Sequence, residues 1–206
     1  MRALRPIIAL LFTIIWSAPA LHAQRSGIGF KAGVLGSTAR SELRQFRPVP
    51  GAVAGLYFPL GISPRIELQP EVLVSYQGSS YSIGETDLRA VERQLYVQIP
   101  LKVKFFLSNT FNLQLGGQAG RLLSAWTKDE KDGTRANTSS YADWDLGLVG
   151  GVGVDLLSGW DLTLRYYNGL TAILADDDTY FPYNRTLQFT VGYRFVQFRK
   201  QYARRH

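Results

Sequence analysis

The chain has 206 residues, 46% hydrophobic, 13% aromatic and 19% charged, with a formal net charge of +7 and no cysteine. That balance is too apolar for a disordered chain, and the missing thiols exclude a disulfide framework, a thiolate nucleophile, a Cys-based metal site and a lipoprotein anchor. No stretch interleaves basic and aromatic residues on one face, so nucleic acid is not an expected partner.

Residues 1–23 read as a secretory signal, with MRALR as the positive start, PIIALLFTIIWSAPAL as the apolar core and small residues after it. Cleavage is expected after Ala23, with Ala20 as the alternative. The apolar run between Pro6 and Pro19 is too short to cross about 30 Å of hydrocarbon as a helix.

From Gly27 onward the pattern is strand-like, in segments near 27–36, 51–60, 65–77, 93–106, 110–124, 144–156, 160–168 and 186–195. In RIELQPEVLVSYQG, residues 65–78, Glu67, Gln69, Glu71, Ser75 and Gln77 share one face, and Ile66, Leu68, Val72, Val74 and Tyr76 the other. LYVQIPLKVKFF and TLQFTVGYRF repeat the pattern. Two residues interrupt it: Pro70 and Pro100 each remove a ladder donor, which predicts a bulge or weak pairing where they lie nearly level. Arg121 falls on the apolar face by strict phase, which predicts either a place at the rim or a bulge in GGQAG.

The connections alternate: long (37–50, 78–92, 125–143, 169–185) and short (61–64, 107–109, 157–159). A transmembrane barrel has this rhythm, with short turns on one side and long loops on the other. Both termini then fall on the periplasmic side. Phe58, Phe105, Phe111, Trp160, Tyr193 and Phe195 lie near the short turns. Tyr76, Trp126, Tyr141, Trp144 and Tyr166 lie towards the long loops, so two aromatic girdles are expected. The expected fold is all-β: an eight-stranded antiparallel up-and-down transmembrane barrel over residues 24–195, followed by a basic tail or strand extension over 196–206.

With the apolar face turned to lipid, the polar face must fill the inside, because eight strands enclose room for side chains and no open channel. The inward charges are expected to be Lys31, Lys102, Lys104, Arg165 and Arg194 against Glu67, Glu71, Asp145, Asp155 and Asp161. Equal numbers suit burial, since an unpaired buried charge costs several kcal/mol.

The stretches GIGFKAGVLGS, GAVAGLYFPL, IELQPEVLVSYQG, LYVQIPLKVKFF, LGLVGGVGVDL, LTLRYYNGLT and VGYRF, in that order, make the mature chain resemble the PorT-like outer-membrane barrels of the Bacteroidetes type. The resemblance implies the bacterial outer membrane as location, and the family includes a secretion-related member. Barrels of this kind usually end at the terminal aromatic, here Phe195, whereas this chain adds VQFRKQYARRH.

Catalysis is not expected. The two histidines, His22 and His206, sit in the signal and at the last position, so neither a Ser/His/Asp arrangement nor a His-based zinc site can form. Glu67 and Glu71 lie four residues apart on one strand, about 13 Å, too far to share a substrate atom. Asp176, Asp177 and Asp178 are weak candidates for a divalent cation. No cofactor is expected. The expected partners are outer-membrane lipid and lipopolysaccharide, the barrel assembly machinery and an unidentified protein met by the loops. A narrow porin or small-solute transporter is the alternative, and a soluble lipocalin-like ligand-binding barrel the second.

Overall fold

The computed structural model describes residues 26–41, 45–82, 89–129, 133–174 and 182–197. The signal segment, Asp176 to Asp178 and the residues after Gln197 lie outside them. Ten strands make one antiparallel sheet: β1 (Gly27–Arg40), β2 (Phe46–Tyr57), β3 (Leu60–Gly61), β4 (Ile66–Ser82), β5 (Arg89–Phe106), β6 (Phe111–Asp129), β7 (Gly133–Ala136), β8 (Trp144–Asp155), β9 (Trp160–Gly169) and β10 (Tyr183–Gln197). Eight are staves. They pair in the ring β1–β2–β4–β5–β6–β8–β9–β10, and β10 returns to β1, so the sheet has no long open edge. β3 continues the second stave along β4, and β7 hangs on β6.

Period-two alternation explains the elements and the direction in which they close. Along WDLTLRYYNG in β9, every second side chain is buried. Val34, Leu115, Leu148 and Phe189 are exposed on the outer wall, while Lys104, Glu71 and Asn112 are fully buried. A bilayer leaves no water for backbone groups, and a closed ring pairs them all. This apolar exterior also removes the soluble-barrel alternative. Followed sideways from Gly29, the pairings come back to β1 at Ala39, so the staves are staggered and tilted, as closure requires.

The short turns are built from small polar residues. Ser63 Oγ accepts bonds from the Arg65 and Ile66 amides at 3.3 and 3.1 Å, and Ser108 Oγ does the same for Thr110 and Phe111 at 3.3 and 2.9 Å. In LSGW the chain turns through Gly159 at φ +96°, a conformation that side chains with a Cβ rarely adopt.

One expectation is corrected and two are narrowed to one of their alternatives. The segments 37–50, 78–92 and 125–143 are not simple loops, since β1, β2, β4, β5 and β6 run well into them and β7 lies inside the last. Above the bilayer the outer face of a hairpin meets water and no longer lipid, so the apolar-out, polar-in alternation that marks a membrane strand disappears from the sequence. The prolines cause no bulge between β4 and β5, since pairing runs to Pro70↔Leu101 and resumes in the same register at Leu73↔Gln98. The two steps between, at Glu71/Pro100 and Val72/Ile99, are missing from the ladder, so the weak pairing expected there is found. Arg121 takes the first of its two expected places, at the rim, exposed and paired with Trp144 at the start of β8. The nearest irregularity is not in GGQAG. It falls where Tyr96 pairs with Leu122 and Leu95 with Ser124, so Leu123 is the extra residue.

Candidate functional site: the lumen and its mouth

The lumen is filled in layers. Nearest the short turns, Lys104 Nζ from β5 lies 2.6 Å from Asp161 on β9, 3.0 Å from Asp155 on β8 and 3.8 Å from Glu67 on β4. Arg194 from β10 adds contacts of 3.5 Å to Glu67 and to Asp155. Asn112 donates to Asp155 at 2.8 Å.

One layer higher, Glu71 takes three cations at 2.9 Å each: Lys31 from β1, Lys102 from β5 and Arg165 from β9. β4 and β9 stand four staves apart in a ring of eight, so the Arg165–Glu71 pair crosses the full diameter. Arg165 is steadied by two bonds to Gln188 Oε1, at 3.2 and 2.6 Å, and Lys102 by Gln114 at 2.7 Å. Lys31 reaches down to Asp161 at 3.4 Å, joining the layers, and its Nζ sits 4.5 Å from the Tyr57 ring centre. That ring lies against Gly29, where an added Cβ would collide with it. The neutral connectors Tyr57, Asn112, Gln114 and Thr163 were missed in the sequence, although each shares the inward phase of a charged residue on its own strand or the facing one; Gln188 shares the polar face of TLQFTVGYRF with Arg194.

Asp145 departs from the expected set. Its partners are neutral: Tyr167 donates to it at 2.7 Å and Asn184 at 2.8 Å. The remaining four carboxylates therefore face five cations, and Asp145 stands apart towards the mouth.

The mouth is closed by a different material. Ala39, Tyr96, Leu122, Ala125, Tyr141 and Ile173 form a buried apolar cluster, with Phe46 and Leu174 packed against it. The connections after β7 and β9 are tied across it. Ala142 N donates to Ile173 O at 2.9 Å, Ile173 N to Pro182 O at 2.9 Å, and Leu170 N to Leu146 O at 2.7 Å, while Tyr141 and Leu174 form a bridge. Tyr141, expected in the outer aromatic band, is thus only 4% exposed inside this cap. The reason is that a non-periodic connection carries no phase from which direction can be read. Burial pushes its hydroxyl pKa up, and the neighbouring Glu92 carboxylate adds to the effect.

On the outer wall at the short-turn end, Phe105, Phe111, Trp160, Tyr193 and Phe195 are exposed and Phe58 is half-buried. Trp160 and Tyr193 pack with ring centres 5.1 Å apart. At the other end Trp144 and Tyr166 are exposed, and Tyr76 and Trp126 pack at 5.8 Å. Arg93 lies 5.1 Å over the Tyr76 ring, and Arg121 lies 5.9 Å over that of Trp144.

A closed ring with an apolar, aromatic-banded exterior and a charged, packed interior is an integral β-barrel of the bacterial outer membrane. The chain belongs to the outer membrane protein beta-barrel domain family, whose model matches residues 18–175. Its fold is similar to that of Neisserial surface protein A, at 15% identity and a TM-score of 0.54, over 83% of this chain and 99% of that one. Ail, the attachment invasion locus protein of Yersinia pestis, is 14% identical over 82% and 99% of the two chains, with a TM-score of 0.48. OprG from Pseudomonas aeruginosa is 12% identical over 84% and 99%, with a TM-score of 0.43. No curated protein matches the chain by sequence.

Proposed function

We propose that this barrel conducts nothing, catalyses nothing and works through its extracellular surface, as a platform for contact with a partner at the cell surface or in secretion. The observation that carries this reading is the Arg165–Glu71 pair across the diameter, flanked by Lys31 and Lys102. A lumen bridged at its centre by paired charges has no free path for a solute, and the apolar cap closes the mouth above it. Catalysis is disfavoured for a related reason: Glu67, Glu71, Asp155 and Asp161 are each held by a cation, so none is free to act as a general base. Among the described residues, no group of three His, Cys, Asp or Glu could hold a metal.

Within the family the strand motifs from GIGFKAGVLGS to VGYRF favour a PorT-like member. The short turns and both termini then face the periplasm, and the hairpins of β4–β5 and β6–β7 stand out from the cell. Planar-bilayer recording of the purified protein should show no unitary steps. A reproducible ion-selective conductance would overturn the sealed-lumen reading in favour of a narrow porin. Protease added to intact cells should cut within 125–143, where Lys128 and Arg135 are exposed, and spare 157–159; the reverse pattern would invert the orientation.

A further inference from the structure

The outer wall is electrically lopsided. Among the described residues, Arg65 is the one charged side chain outside the lumen at the short-turn end. At the long-connection end, outward-facing arginines occur on five of the eight staves, among the described residues. Arg40 is the last residue of β1, and Arg47 is near the start of β2. Arg93 pairs with Trp126, Arg121 with Trp144, and Arg185 with Thr38. The ion pairs of the lumen take none of these five, and the Arg185 Nε has no hydrogen-bond partner among the described residues. Two are posed rather than waving in solvent. Arg93 lies over Tyr76 while donating to Pro50 O at 2.6 Å, and Arg121 lies over Trp144. Asp143, beside Trp144, is an exposed carboxylate at the same rim.

Tryptophan and tyrosine mark the level at which hydrocarbon gives way to headgroups. A guanidinium held over such a ring can still offer a planar pair of N–H groups for two parallel bonds to a phosphate, which an ammonium cannot; in Arg93 that pair is the Nε/Nη2 edge, since Nη1 donates to Pro50 O. From these placements we infer that the belt, with Arg93–Tyr76–Trp126 and Arg121–Trp144 as its two anchors, binds the phosphorylated headgroups of lipids in the leaflet beside the long connections. The ligand is a lipid because the belt faces sideways at the girdle, in the plane of the membrane, and the anchors flank exposed apolar residues such as Leu123 and Leu146 that acyl chains would cover. The inference does not rest on a sealed lumen. It assigns the belt to the outer leaflet only if the orientation proposed above holds.

The test uses the folded full-length mature protein in detergent, where orientation plays no part, so failure of that reading and failure of this one remain distinct. The probes are a bisphosphorylated glycolipid and its dephosphorylated form, with retained lipid counted by native mass spectrometry and affinity read by titration. Wild type should hold the phosphorylated lipid at least about tenfold more tightly. Arg93→Gln with Arg121→Gln should erase that preference, and Arg93→Lys with Arg121→Lys should recover only part of it. Arg65→Gln, at the other end, should change nothing. Heat-modifiable gel migration reports folding. Should the glutamine pair not fold, the lysine pair decides, since loss of the fork with charge retained must still weaken binding. Equal affinity for both lipids, undiminished binding by the lysine and glutamine pairs, or competition by soluble sulfated polysaccharide at the concentration of the lipid would overturn the inference.

Discussion

The middle of the lumen and its mouth are both buried interiors of one barrel, filled by opposite means. Around Glu71 the interior is charged: four side chains from four staves meet at ion-pair distance. Around Tyr141 it is apolar, six small and large hydrophobics under a folded connection. The difference follows from what lies outside each. At membrane level the apolar residues are claimed by lipid, so the alternate, polar positions must fill the core and neutralise one another. Above the membrane that demand ends, and the chain can turn hydrophobic side chains inward like a soluble domain. The two regions should therefore fail differently. Damage to the network should be felt by the whole barrel, and damage to the cap should stay local.

The largest effect is expected at Glu71. Glu71→Gln leaves Lys31, Lys102 and Arg165 crowded together with no central carboxylate, and breaking a buried pair in this way costs about 3–5 kcal/mol. Urea titration in lipid vesicles should show it as a global loss, independent of bilayer thickness. If the variant refolds as readily as wild type, the network is not what holds the middle of the barrel. Its neighbour Val72, exposed on the outer wall, tests the boundary between inside and outside. Val72→Arg should cost about 2–4 kcal/mol near the hydrocarbon midplane, and unlike the Glu71 penalty it should grow in thicker-chain lipid.

Smaller in global terms is Tyr141→Ala. It should leave the urea midpoint nearly unchanged, yet speed hydrogen exchange over 137–143 by about tenfold, equivalent to about 1.4 kcal/mol of easier local opening. A matching drop in global stability would mean that the cap and the staves form one cooperative unit. Smallest is a pH effect at the same residue. The Tyr141 hydroxyl has a raised folded pKa, so its contribution is fully present below the unfolded value of about 10 and fades as pH climbs towards the folded one. Exchange in the cap should therefore quicken between neutral and strongly alkaline pH in wild type and much less in Tyr141→Phe. Equal alkaline sensitivity in both would place the titrating group elsewhere.

How far the sequence carries such reasoning depends on periodicity. Glu71 and Val72 part company by alternation alone, and the ring of staves follows once a bilayer is supplied as solvent. Phase information ends where apolar residues run together: Leu122 and Leu123 conceal the bulge, because neither announces which of them is extra. It also ends where the outer face meets water in place of lipid, as in SSYS of β4 and RAVE of β5, which look like loop and are strand. Within the lumen, alternation says which side chains enter but not whom they meet. Nothing in the string of residues distinguishes Glu71, with three cations, from Asp145, with none, since partners depend on tilt and on side-chain reach across the bore.

The ring joins its first stave to its last, and this has a consequence for the order of events in time. Lys31 near one end of the chain meets Asp161, 130 residues later, and Arg165 meets Glu71 across a separation of 94. Neighbours such as Lys102 and Glu71 on β5 and β4 can pair in an open sheet, but these contacts across the bore need the sheet to curl towards closure, so their charges stay solvated until the ring forms. Zippering of neighbouring hairpins can proceed early, but the expulsion of water from the bore has to wait for closure. Assembly should then show a late, slow step at which water leaves and ion pairs form together, in keeping with the cost of long-range pairing. A chain stopped before β10 should persist as an open sheet with two reactive edges and a wet groove.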